Sequence, residues 1–307
     1  MRRCTTNVKR SGKQSGERER EQRAENRERS PALSTEHCSL STSHLSQVTS
    51  HKSLVTKQLT TMNFLSKLFG TSSNSKYDLG QLEVDMHSHL IPGIDDGSPS
   101  MDHTIAMLAK FEQMGYRKVV TTPHILNDVH PNTPQTILGG LEDVRAEIKR
   151  LGMKIEIEAA AEYYCDESFL PIIERNEILS FGSNYVLMEF GFLSPSKYEA
   201  QALFNLQVAG YVPVLAHYER YPYYFGDFKK VDELRERNIQ IQVNLNSLTG
   251  HYGPGVKKMA EQLIKNKQVD FLGTDCHRME HLMMIEESLS LSIYKQVEAL
   301  TLKNNLL

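Results

Sequence analysis

The chain is expected to fold as an α/β barrel of parallel strands, and three observations lead there. From residue 82 onward, seven short β-rich runs alternate with seven longer helical patterns. Strict alternation implies parallel strands joined by right-handed helical crossovers. Nearly every β-rich run also ends in a histidine or an acid. An open doubly wound sheet gathers functional groups at one switch point, whereas a barrel rings them around its C-terminal rim, so the third observation, their even spread, favours the barrel.

The strands are expected at 83–87, 118–122, 154–160, 185–190, 212–217, 239–245 and 269–274. Helices are expected near 101–114, 136–150, 168–176, 196–209, 228–237, 254–267 and 279–298. Gly115, Gly152 and Gly210 stand where helices should end in a left-handed cap. Pro195-Ser196 and Gly253-Pro254 stand where helices should begin.

Composition divides the 307 residues unevenly. Residues 1–60 hold no Phe, Tyr or Trp and carry twelve Lys and Arg against six Asp and Glu, a local charge of +6. The whole chain is −3, so residues 61–307 carry −9. So polar a segment cannot bury enough apolar area to offset its ordering entropy. Residues 1–61 are therefore expected as a disordered basic extension, with Met62 as the natural start. A linker or short amphipathic segment should follow over 62–81, and the barrel over 82–307. The tail's six acids argue against a transit peptide. No run reaches the ~18 apolar residues needed to cross a bilayer. The cysteines Cys4, Cys38, Cys165 and Cys276 lack paired spacing, which suits a reducing cytoplasm. The acidic body argues against a general nucleic-acid binder; a homo-oligomer remains compatible.

The candidate chemistry begins at Asp85-Met86-His87-Ser88-His89. Residues two apart on a strand share a face, so His87 and His89 would present two imidazoles in one direction. Further candidates end the later strands: Asp95-Asp96-Gly97 in the first loop, His124, Glu162, Glu189 inside an apolar run, His217, and Asp275 two before His277. Singly, each reads best as an ordinary packed or solvated side chain, and Asp95 as a turn residue. Packing requires no such clustering on successive strand ends, whereas a site for several divalent cations does. Mixed imidazole and carboxylate donors suit Mn²⁺, Fe²⁺ or Zn²⁺ better than Ca²⁺ or Mg²⁺.

The series His87-x-His89, Asp95-Asp96-Gly97, Thr-Pro-His124, Ala-Glu162-Tyr-Tyr, Met-Glu189-Phe, His217-x-Glu-Arg220 and Thr-Asp275-x-His277 resembles the polymerase and histidinol phosphatase (PHP) family. Within it, the chain is most similar to bacterial tyrosine-protein phosphatases of capsule and exopolysaccharide gene clusters, over about residues 80–300. The resemblance implies a distorted (β/α)7 barrel and three divalent metals, Mn²⁺ favoured. It assigns His87, His89, Glu162 and Asp275 to the first metal, Glu162, Glu189 and His217 to the second, and Asp96, His124 and His277 to the third. Arg220 would grip a phosphate. It further implies phosphomonoester hydrolysis by a metal-bridging hydroxide, with Asp96 or a bound water protonating the leaving group. The implied partner is the phosphotyrosine-bearing tail of a bacterial tyrosine autokinase that controls polysaccharide synthesis.

A thiol mechanism needs Cys-x5-Arg. Only Cys4 and Arg10 have that spacing, and they lie in the tail. Tyr163, Tyr164, Tyr218, Tyr221, Tyr223 and Tyr224 read mostly as packing, with 221–227 the candidate loop for substrate contact. Arg278 is a second candidate for phosphate. The rivals are an amidohydrolase, in which a carboxylated lysine would replace Glu189, another PHP activity such as histidinol phosphatase or a nuclease, and a metal-stabilised kinase-binding scaffold.

Overall fold

A computed structural model describes residues 76–307. The expected tail, Met62 and most of the 62–81 segment lie outside the described residues. Residues 76–81 pack onto the barrel: Tyr77 and Leu79 are buried, and the Tyr77 ring stacks on Tyr294.

The chain runs β1 (Val84–Asp85), α1 (Met101–Gln113), β2 (Lys118–Thr121), β3 (His124–Ile125), α2 (Pro134–Leu151), β4 (Glu156–Ala159), β5 (Glu162–Tyr164) and α3 (Phe169–Glu174). It continues through β6 (Tyr185–Glu189), α4 (Glu199–Val208), β7 (Val212–Leu215), α5 (Phe228–Glu236), β8 (Gln240–Asn244), α6 (Leu245–Thr249), α7 (Pro254–Lys265), β9 (Phe271–Gly273), α8 (Met279–Ser288) and α9 (Tyr294–Val297). Every paired strand is parallel to its neighbour. One sheet has the order β1-β2-β4 and the other β3-β5-β6-β7-β8-β9.

The nine segments are the seven expected strands. β3 continues β2, and β5 continues β4; Ala160 N donates to Thr121 O and Glu162 N to Pro123 O across the breaks. The last strand then returns to the first. His89 N donates to Cys276 O (2.9 Å) and Asp275 N to His87 O (2.8 Å), which ties the ring at its C-terminal end. Below that point side chains fill the seam. Asp85 accepts from Thr274 N and Thr274 Oγ1 at 2.8 and 2.9 Å. Asn304 donates to Val84 O and Leu272 O and accepts from Leu272 N. The first strand is shorter than the expected 83–87 because only Val84 and Asp85 pair with β2.

Helix boundaries follow local chemistry. In α2, Thr133 Oγ1 accepts from Thr136 N while Thr136 Oγ1 accepts from Thr133 N, a reciprocal cap followed by Pro134 in the first turn. Its buried stripe is Ile137, Leu141, Val144 and Ile148, and Gly152 ends it at φ 67°. The expected 279–298 helix is two, α8 and α9, parted at 289–293, where the sequence alternates Ser with Leu and Ile. α6 was not expected; the alternating 239–245 pattern runs to Leu245, the residue on which the helix begins. The helix expected from 196 starts at Glu199, since Ser196 Oγ turns back to Cys165 O.

The core has two parts. A larger layer lies between strands and helices. A smaller cluster, with Val84, Val120, Leu187, Val214 and Phe271 from five strands, packs inside the ring. Among the described residues no helix is long and apolar enough to cross a membrane.

Asn304→Ala removes three buried hydrogen bonds across the seam and leaves Leu272 N without a partner. Stability should fall by about 2–4 kcal/mol, measured as a lower urea midpoint; an unchanged midpoint would mean that the seam holds without it.

Candidate metal centre

All nine expected ligands meet at the C-terminal rim. His87 and His89 follow β1, Asp96 lies in the loop after them, and His124 opens β3. Glu162 opens β5, Glu189 closes β6, and His217, Asp275 and His277 follow β7 and β9. His87, His89, Glu162, His217 and Asp275 are almost fully buried. Two of these positions cost backbone energy: His217 and Asp275 hold positive φ, 33° and 52°. Non-glycine residues adopt that region at a cost of roughly 1–3 kcal/mol, and such residues cluster at functional sites.

Glu162 is the centre. Its Oε2 lies 3.2 Å from His87 Nε2, 3.4 Å from His89 Nε2 and 3.2 Å from His124 Nδ1. Its Oε1 lies 3.1 Å from His217 Nε2. Asp275 Oδ1 stands 3.5 Å from both His87 Nε2 and His89 Nε2. Glu189 reaches His217 at 3.5 Å and His124 at 3.4 Å. Asp96 reaches His277 at 3.4 Å and His124 at 3.6 Å. Three groups of donor atoms are close enough to share an ion: His87, His89 and Asp275; His124, Glu162 and Glu189; and His89, Asp96, His124 and His277. Of the four residues expected around the first metal, His87, His89 and Asp275 form one such group and Glu162 lies beside it. The expected second group differs: His124, expected only for the third, stands with Glu162 and Glu189, while His217 meets those two carboxylates at 3.1 and 3.5 Å outside any of the three groups. His124 joins the second and third groups, with Nδ1 toward Glu162 and Glu189 and Nε2 toward Asp96.

Neighbours orient the imidazoles. His89 Nδ1 donates to Asp95 Oδ2 at 2.8 Å, and His87 Nδ1 to Gln242 Oε1 at 3.1 Å. Both rings therefore turn Nε2 to the centre, as ligating imidazoles require. Gln242 is held in turn by Asn244, and Asn244 donates to Asp275 Oδ2 at 2.7 Å. Asp95 thus does more than the turn role expected for it. It caps Gly97 N, accepts from His124 N and fixes His89. Gly97 is required there because a Cβ would lie 2.3 Å from His89 O. Gln242 and Asn244 carried no signal in the sequence, where amides on a buried strand look ordinary.

The electrostatics show what the site demands. Burial raises the pKa of Glu162, but the neighbouring His87 and His124 outweigh it and hold the carboxyl well below its ordinary range. Burial also opposes ionisation of Asp275, and His87, His89 and His277 overcome it. Burial disfavours charge on His217, yet hydrogen bonds to Glu162 and Glu189 push its pKa up to about 9. The carboxylates call for positive charge. Divalent cations meet that demand while leaving imidazoles neutral, the form that binds metal. One orphaned atom fits this reading: buried His124 Nδ1 faces two carboxylates at 3.2 and 3.4 Å and makes no hydrogen bond.

A cleft of about 370 Å³ opens over the centre. Arg220 lines it, with Nη1 3.3 Å from Asp275 Oδ2, and so do Phe192, His251, Tyr252, Arg278 and His281. The loop 221–227, expected to meet substrate, does not line it. Tyr221 is wholly buried, its hydroxyl accepting from Phe190 N, and Tyr224 is buried on Tyr218. Those tyrosines pack the base of the loops instead.

Residues 83–297 match the family described as Capsular polysaccharide synthesis, CpsB/CapC. The chain is 25% identical to the tyrosine-protein phosphatase YwqE of Bacillus subtilis over 198 residues, covering 64% of this chain and 78% of that protein. It is 28% identical to the tyrosine-protein phosphatase CpsB of Streptococcus pneumoniae over 203 residues, covering 64% and 84%. A solved structure, described among crystal structures of YwqE and CpsB as unique metal-dependent tyrosine phosphatases, superposes with a TM-score of 0.61 at 22% identity, over 71% of this chain and 96% of that one. That likeness establishes the barrel fold.

Added Mn²⁺ should stabilise the protein, by about 2.7 kcal/mol at a hundredfold excess over Kd, read as a rise in Tm. Glu162→Gln should abolish the rise, and Asp95→Ala should weaken metal affinity about 10- to 100-fold. An undiminished rise in Glu162→Gln would remove Glu162 from the centre.

Proposed function

From the premise that the chain belongs to the CpsB/CapC capsular polysaccharide synthesis family, we propose that it is a metal-dependent protein-tyrosine phosphatase. Its substrate in this reading is phosphotyrosine on a bacterial tyrosine autokinase that controls capsule or exopolysaccharide synthesis. The observation that carries the proposal is the convergence of nine imidazole and carboxyl groups, eight in the three donor groups and His217 against Glu162, under a cleft that also holds Arg220.

His87, His89, Glu162 and Asp275 would hold one cation, Glu162, Glu189 and His217 with His124 a second, and Asp96, His124 and His277 with His89 a third. Bound divalent ions of this kind, Mn²⁺, Fe²⁺ or Zn²⁺ by donor type, neutralise phosphoryl charge and lower the pKa of water. The protein's own groups do the rest. Arg220 presents a planar fork that matches two phosphate oxygens, and its contact with Asp275 sets that fork beside the centre. Burial of the ligand set excludes bulk water and strengthens each charge interaction.

Asp96 fits a ligand better than a proton donor. Its hydrogen bond with His277 holds the carboxyl far below its ordinary range, so it stays ionised and accepts only. A phenolate leaving group, of pKa about 10, departs with less help than an alkoxide. Among the described residues, neither cysteine fits a thiol route. Burial pushes Cys165 up to about 11 and raises Cys276 well above the ordinary range, and both side chains are buried. A thiol nucleophile needs the reverse.

Phosphotyrosine peptide should be turned over far faster than histidinol phosphate or single-stranded DNA, and activity should vanish on chelation and return with metal. Arg220→Ala should lower phosphotyrosine turnover by about a thousandfold with metal content intact, while Cys165→Ser should retain activity. Dominant turnover of either alternative substrate, or full activity without metal, would overturn the proposal.

A further inference from the structure

Two aromatic side chains from separate rim loops flank the Arg220 guanidinium. Its central carbon lies 4.5 Å from the Phe192 ring centroid and 4.3 Å from that of Tyr252. Phe192 follows β6, and Tyr252 stands between α6 and α7. Both line the same cleft as the metal centre, and neither belongs to the ligand set. Tyr252 also anchors at a second point, its hydroxyl 3.4 Å from Asp275 Oδ2, the oxygen that meets Arg220 Nη1. Phe192 is held in turn by neighbouring rings, 5.6 Å from His217 and 6.0 Å from Tyr221 between centroids.

An arginine free in a polar cleft samples many rotamers, and a phosphate that binds it must first order it. Aromatic rings within about 6 Å attract the cation and favour a parallel guanidinium plane. The Asp275 contact alone fixes one nitrogen and leaves the plane free to turn. Two rings and one carboxylate together define its position and its plane. We infer that Phe192 and Tyr252 are positioning residues that hold the Arg220 fork toward the phosphate site. The inference rests on Arg220 as the phosphate-binding group.

Two readouts test it, inorganic phosphate binding by calorimetry on metal-loaded protein and kcat/KM. Tyr252→Leu and Phe192→Leu should each weaken both about tenfold, with metal content and Tm near wild type. Phe192→Tyr and Tyr252→Phe, which keep the ring, should restore most of the loss. In an Arg220→Ala background, Tyr252→Leu should add less than twofold, because a positioning role acts only through the arginine. The loss should be equal for a phosphotyrosine peptide and an alkyl phosphomonoester. Undiminished phosphate affinity in the leucine variants would overturn the inference, as would a full additional loss in the Arg220→Ala background. A loss confined to aryl substrates would also overturn it, since the rings would then touch substrate directly. Because phosphate affinity is read without turnover, a wild-type protein that binds phosphate but hydrolyses nothing would sink the phosphatase reading alone.

Discussion

One carboxylate organises the rim. Glu162 lies within 3.4 Å of four imidazoles from three different strand ends, while being almost wholly buried. A carboxylate so desolvated persists only with matching positive charge. The surrounding histidines, and the cations they are disposed to bind, supply it. The remaining design follows from keeping these groups in register. Asp95, Gln242 and Asn244 fix ring orientations, and the left-handed backbones of His217 and Asp275 turn their side chains toward the centre.

The barrel meets this requirement with an incomplete ladder. Backbone hydrogen bonds join the first and last strands only at the rim, where His87, His89 and Asp275 must converge. Lower down, Asp85 and Asn304 replace the missing bonds with side chains. Burial pushes Asp85 up to about 7 despite its two bonds from Thr274, a measure of how closely the seam is sealed.

The sequence was most legible where chemistry contradicts packing. A Glu inside Leu187-Met188-Glu189-Phe190, or a His pair at a strand end, has no bland reason to recur; eight of the nine such residues fall into the three donor groups, and His217 meets Glu162 and Glu189 beside them. The alternation of strands and helices was equally plain, because each crossover helix needs a buried stripe. Groups that act through others left no mark. Asp95 looks like any acid before a glycine, and Gln242 gains its role from His87, 155 residues away. Phe192 and Tyr252 meet Arg220 only once three loops have folded. The tyrosines around Arg220 read mostly as packing, and Tyr218, Tyr221 and Tyr224 do pack on one another; what the sequence did not show is that the 221–227 loop stands off the cleft.

The tie between Asp85 and Thr274 spans 189 residues, nearly the whole barrel. Contacts so distant along the chain carry a large loop-closure entropy and form late. His87 and Asp275 lie just above that tie, so the complete donor set exists only when the two ends of the barrel have met. Closing the ring and completing the donor set are therefore one event, so a substitution that opens the seam would also dismantle the rim.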